Sequence, residues 1–199
     1  MAIDRTLLRR TEGVTFGKML GCGKGETFTP SDADPTRWGC LVVISESEFG
    51  SLDSSRTITK WRGKAFSEFR VVVDPIAVTG KWSKEEPFIV SAKPEFNGQI
   101  VAITRARIKA SQTVRFFKSV PPVTASLHAS PGLISTIGIG EAPIGLQGTF
   151  SLWESAQAIR DFAYKGAAHR EAIAQTSEFD WYAEELFARF AVREIRGTI

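Results

Sequence analysis

The chain has 199 residues, enough for one sizeable core or two small ones, and its 43% hydrophobic and 24% charged residues describe an ordinary globular protein. A net charge of +3 is too small to argue for nucleic acid by itself, and two cysteines without a CxxC exclude a disulfide framework or a cysteine-based zinc site. No apolar run approaches the length that spans a bilayer, and there is no signal-peptide pattern, so the expectation is a cytoplasmic protein that could still touch a membrane surface.

Residues 1–12 are basic and compatible with a helix, and 14–20 read as a strand. GCGKGETFTPSDADPTRW follows, rich in Gly, Pro, Asp and Thr, and reads as a loop up to the short apolar strand GCLVVIS at 39–45. Residues 46–63 suit a helix weakened in its middle by Gly50 and Ser54–Ser55, and EFRVVVD at 68–74 is the next strand. KWSKEEPFIVSAKPEFNG at 81–98 has two prolines, mixed charge and no helical period, which marks a connector. QIVAITRARI at 99–108 is a strand. Residues 111–127 look helical, but Pro121–Pro122 predict a break near Ser119 and a fresh helical start. GLISTIG and QGTFSLW flank a Gly/Pro hairpin loop. Residues 154–165 are helical, with Ile159, Phe162 and Ala163 on one face, and AHREAIAQ adds about two turns. In ELFARFAVRE, Leu186, Ala188, Phe190 and Val192 alternate against Arg189 and Arg193, as in a strand with one face more buried than the other.

Residues 13–80 and 132–197 run through the same series of elements. The second half, 99–199, reads strand, helix, strand, strand, helix, strand, the ferredoxin-like βαββαβ order. The first half, 1–80, has that order only from its second strand onward and lacks its opening strand; 81–98 joins the two. The expected fold class is α+β: two ferredoxin-like halves that pair their sheets into one dimeric-α+β-barrel-like domain with helices outside, since each half alone is small and pairing buries both sheets.

Few residues carry recognisable chemistry. Between Glu95 and Glu141 there is no acidic residue, while Arg105, Arg107, Lys109, Arg115 and Lys118 are present. Such runs are usually solvated faces, although arginine forks also hold carboxylates and phosphates. Of two histidines, His128 ends the interrupted helix and suits its dipole. His169 exists in one copy of the repeat only, and reads either as an exposed helix residue or as an axial iron ligand. Two histidines and no cysteine pair leave little for a three-ligand metal site. GIGEAP lacks the GxGxxG and GK[ST] patterns and sits between strands, so it reads as a hairpin loop, and Glu184–Glu185 read as surface charges. No GxSxG supports a serine nucleophile, and the RRM signature of sheet-based RNA binders is absent, so no nucleic-acid partner is expected. Cys22 and Cys40 fall on strands and read as buried free thiols. Fourteen Phe and five Trp could line a pocket for a large apolar ligand.

The block GIGEAPIGLQGTFSLWESAQAIRDFAYKGAAHREAI resembles the spheroidene monooxygenase family. FGKMLGCGKGETFTP, RWGCLVV, GKWSKEEPF, RFFKSVPPVTASL and EELFARFAV agree in order, so the resemblance covers nearly the whole chain. It implies a dimeric α+β-barrel-type fold, haem as cofactor, and oxygen-dependent insertion of a keto group into a carotenoid. His169, after FAY-KGA, becomes the axial ligand. Such chemistry needs an apolar small-molecule substrate, molecular oxygen and an electron donor. From charge alone, and not from the family, Arg105, Arg107 or Arg115 would pair with haem propionates. The missing opening strand leaves a sheet edge that favours a homodimer or strand exchange. The alternative is a non-catalytic barrel that carries haem or another apolar ligand.

Overall fold

A computed structural model describes residues 2–27, 29–90, 96–142, 146–165 and 180–198. After helix α1 (Ala2–Arg9) come β1 (Val14–Gly23) and β2 (Ala33–Ile44), then α2 (Phe49–Asp53), α3 (Arg56–Arg62) and β3 (Arg70–Gly80). The second half contributes β4 (Ile100–Ile108), α4 (Thr113–His128), β5 (Leu133–Gly140), β6 (Leu146–Trp153), α5 (Ala156–Lys165) and β7 (Tyr182–Arg196). All seven strands join one sheet in the order β2-β1-β5-β6-β4-β7-β3, and every neighbouring pair is antiparallel. Within the second half the order β5-β6-β4-β7 is that of a ferredoxin-like unit. The first half supplies the counterparts of β5, β6 and β7 as β1, β2 and β3, and its described residues form no counterpart of β4. The α+β class and the absent opening strand are therefore as expected.

The sheet curls. Leu41 and Val43 of β2 and Val71, Val73 and Val78 of β3 pack against one core made of Phe16, Leu20, Val101, Ile103, Ile139, Leu152, Leu186, Ala188 and Phe190. In a flat sheet, first and seventh strands would lie roughly 29 Å apart. Sharing one core requires the sheet to roll up with these side chains inside. A second cluster lies on the outer face, where Ile100, Ala102 and Trp153 meet Leu127 of α4 and Ile159 and Phe162 of α5. β4 is thus covered on both faces, which explains its unbroken run Ile100-Val-Ala-Ile103. β7 has one apolar face, with Leu186, Ala188 and Phe190 all at most 2% exposed.

Two local expectations are corrected. The loop after β1 is shorter than its composition suggests: β1 runs to Gly23 and β2 starts at Ala33, because antiparallel pairing continues past a register shift at Gly21/Cys22. The shift passes over three β2 residues, 35–37, without ending the ladder. Helix α4 is not broken near Ser119 but runs through Pro121 and Pro122 to His128. Both prolines lie on its exposed side. Hydroxyls take up neighbouring backbone carbonyls, with Ser119 Oγ donating to Phe116 O at 2.7 Å and Thr124 Oγ1 to Pro121 O at 3.1 Å. The connector contributes to the core, since Trp82 is fully buried and Phe88 packs on the inner core. The weak middle of the first-half helix is real: α2 stops at Asp53, and Ser55 caps α3 by accepting from Ile58 N at 3.3 Å.

Candidate functional site

The inner face of β4 carries Val101, Ile103 and then Arg105, so the arginine enters the barrel interior just beyond the apolar core. It is 3% exposed, and a buried guanidinium must be paired. Its Nη2 meets Glu141 Oε1 at 2.8 Å and its Nη1 meets Glu184 Oε1. Glu141 extends just past β5, and Glu184 points inward from β7 in the same alternation as Leu186 and Ala188. Lys18, facing inward between Phe16 and Leu20 on β1, completes a quartet through Glu141 Oε2 at 3.2 Å. Two positive and two negative groups thus balance inside one end of the barrel.

The connector closes this quartet. Trp82 Nε1 donates to Glu141 Oε1 at 2.8 Å, and its ring lies 5.7 Å from the Arg105 guanidinium carbon. Ser83 and Lys84 have φ of 57° and 67°, a left-handed conformation that costs non-glycine residues energy. The bend aims two consecutive N–H groups at Glu184, Ser83 N at 2.9 Å and Lys84 N at 2.6 Å. A carboxylate in such a backbone nest offsets the strain. Ser83 Oγ also accepts from Lys18 Nζ at 2.5 Å.

These contacts set the charge states. Burial alone would raise the Glu141 carboxyl, but the Trp82 N–H, Lys18 and Arg105 together hold it below the usual carboxylate range. Burial also works against ionised Glu184, and the Lys84 and Ser83 N–H groups with Arg105 overcome it in the same direction. Both acids are held as carboxylates, and both are occupied as hydrogen-bond acceptors. Neither stands ready as a general acid or base. Beside them, Leu20, Trp82, Ile139, Leu146 and Gln147 line a narrow recess.

The residues singled out from sequence disperse. Arg105 and Arg107 share a face of β4, but Arg105 is buried in the quartet and Arg107 is exposed at the barrel end. Arg115 sits on α4, exposed, with Nη1 at 3.3 Å from Gln112 Oε1. The reading of the basic stretch as a solvated face holds for Arg107 and Arg115 and fails for Arg105, whose counter-charges come from distant elements. His128 is the exposed last residue of α4, as expected. His169 lies outside the described residues. Glu184, read as a surface charge, is instead 13% exposed at its side chain, and the hairpin residue Glu141 matches it. Sequence contained one usable signal for Glu184: it keeps the even-numbered, inward register of Leu186, Ala188 and Phe190. Burial pushes the Cys22 and Cys40 thiols up to about 11, which keeps them protonated.

Among the described residues no group of three or more His, Cys, Asp or Glu is placed to hold a metal ion, and no helix is long and apolar enough to cross a membrane. The described interior does not fit a haem. The recess beside the quartet has no room for a group of that size, and the one buried arginine among the described residues is already held by two carboxylates.

No family model matches the chain. Among solved structures, a Fusobacterium nucleatum protein assigned as a monooxygenase aligns with 99% of this chain and 85% of its own at 11% identity and a TM-score of 0.48. An anthrone oxidase-like protein covers 98% and is covered to 84%, at 12% identity and a TM-score of 0.38. Likenesses this distant carry no weight for function. Sequence relatives are far nearer. The spheroidene monooxygenase of Rhodobacter capsulatus is 31% identical over 202 residues, spanning 100% of this chain and 83% of the relative. That of Cereibacter sphaeroides is 34% identical over 188 residues, spanning 92% of this chain but only 56% of the longer relative. That of Rubrivivax gelatinosus is 32% identical over 190 residues, spanning 94% and 72%. Similarity of this order along the whole length is decisive: the chain belongs to the spheroidene monooxygenase family and is an enzyme of the monooxygenase class.

Proposed function

We propose that this chain inserts oxygen, as a keto group, into a carotenoid or a similarly extended apolar substrate, and that it does so with haem held through His169. The observation that carries the reading is the similarity, along 92–100% of this chain, to three proteins that are each a spheroidene monooxygenase. Haem, when bound, would supply the activation of oxygen. The chain's own described residues contribute differently. The Arg105–Glu141–Glu184–Lys18 quartet closes one end of the apolar barrel and pins the connector through Trp82, Ser83 and Lys84. Because the quartet is charge-balanced and its carboxylates are fully engaged, it offers no propionate site. Haem on this reading belongs with the segment that carries His169.

The test uses the purified chain supplied with haem, a reductant, ¹⁸O₂ and spheroidene as the probe substrate. The expected results are a Soret band that is lost or shifted in His169→Ala, and ¹⁸O in a ketocarotenoid product. A Soret band without labelled product would instead support the carrier alternative. Absence of haem binding, or binding unchanged in His169→Ala, would overturn the ligand assignment.

A further inference from the structure

Helix α4 runs for 16 residues along the outside of the sheet, about 24 Å. Its inner side is fastened at both ends. Leu127 packs on Ile100, Ala102 and Trp153, and Phe116 meets the rings of Trp181 and Tyr182 edge-on at 6.0 and 6.1 Å. Val120 and Thr124 are buried along the same side. The helix is a fixed platform with its other side turned outward. On that outer side Val114, Lys118, Pro121 and Ala125 follow one another at spacings of four, three and four, which sets them on a single line, with Arg115 and Pro122 beside it. All six are exposed, Val114 to 70%.

A helix face that only meets water usually mixes both signs of charge. This one joins apolar side chains to cations, because residues 96–140 contain no acidic residue. The acids that the described structure brings to the helix stay off the line. Asp180 is paired with Lys109 ahead of the helix, and Glu26 is held against the inner side, where its carbonyl accepts from Thr124 Oγ1 at 2.9 Å. The two prolines sharpen the point. Interior prolines cost a helix stability, and here their rings face outward, so core packing does not offset the cost. Apolar groups flanked by Arg and Lys are what an interfacial helix presents to lipid: the apolar line enters between headgroups while the cations meet phosphates. An acidic protein surface would satisfy the cations but would not call for the apolar line between them.

We propose that the outer side of α4 is a membrane-docking face, and that its occupant is the headgroup layer of a bilayer rich in anionic phospholipid. The helix lies flat on that layer, with Val114, Pro121 and Ala125 entering it and Arg115 and Lys118 pairing with lipid phosphates. Docking requires only this face and stands whether or not the reaction proposed above is correct.

The probe is unilamellar vesicles of phosphatidylcholine and phosphatidylglycerol, mixed with the whole chain and sedimented, with pure phosphatidylcholine vesicles as the reference. Neither haem nor carotenoid is present, so the outcome is separate from that of the catalytic test. The chain should bind the anionic vesicles and not the neutral ones. Arg115→Gln with Lys118→Gln should weaken binding about fivefold for each charge removed. Arg5→Gln with Arg9→Gln, the same loss of charge from exposed positions on α1, should leave it within about twofold. Val114→Ser with Pro121→Ser keeps the charge and should weaken binding roughly threefold or more. All these positions are exposed, so each variant should keep the circular dichroism of the parent chain. No binding to the anionic vesicles overturns the proposal. So does equal weakening by the α1 and α4 charge variants, which would mean that overall charge and not this face is responsible. Binding indifferent to Val114→Ser with Pro121→Ser also overturns it, since a purely electrostatic face suits an acidic protein instead.

Discussion

Arg105 is the residue on which the interior charge arrangement turns, because it alone touches both carboxylates. Removing it strands two anions that burial already disfavours. Arg105→Met should therefore cost about 3–5 kcal/mol, the usual penalty for breaking rather than replacing a buried pair. Urea titration with intrinsic tryptophan fluorescence would measure it. If Arg105→Met combined with Glu141→Gln and Glu184→Gln recovers most of the loss, the penalty comes from uncompensated charge rather than lost packing. The same carboxyls give the fold an acid limit. Both have folded-state values below their unfolded ones. Their contribution is complete above the unfolded value, about 4.3, and is lost as pH falls through the lower folded values. Stability measured between neutral pH and pH 3 should drop in that acid range, and the drop should shrink in Glu141→Gln with Glu184→Gln.

At the scale of elements, α4 shows where local rules gave way. Interior proline costs about 3 kcal/mol in an isolated helix, which is why the sequence argues for a break. Leu127 and Val120 anchor the helix by burying one face, and Pro121 and Pro122 project the other way. Packing overrides propensity here. The strain should still be measurable: Pro121→Ala with Pro122→Ala should raise stability by about 1–2 kcal/mol, after allowing for the extra freedom of the unfolded chain. Thermal unfolding by circular dichroism would detect it, and an unchanged or lower Tm would contradict this account. Ser54–Ser55 is the opposite case, where local chemistry was enough, because a serine N-cap ends one helix and starts the next without tertiary help. Strand periodicity likewise made β4, β5, β6 and β7 legible, together with the missing opening strand. The quartet was not legible. Lys18, Glu141 and Arg105 are far apart in sequence, and a lone charged residue on a strand reads as a surface position until topology brings its partners to it.

At the scale of the molecule, the question is how evenly the curled sheet is covered. Apolar burial is worth about 25 cal/mol per Å², and each half-buried aliphatic of the edge strands leaves part of its surface in water. Chemically identical substitutions should therefore separate by position around the barrel. Val101→Ala on doubly covered β4 removes contacts from a residue 1% exposed, and should cost about 2–3 kcal/mol including the cavity left behind. Val71→Ala on half-buried β3 should cost less than half as much, since water already reaches its neighbourhood and can relax into the space. Chemical denaturation of the two variants side by side decides the matter. Equal costs would mean that the β3 edge is as well covered as the centre. A pronounced difference would locate the weaker part of the described fold at the β3 edge, where the side chains are only half-buried, rather than at β4.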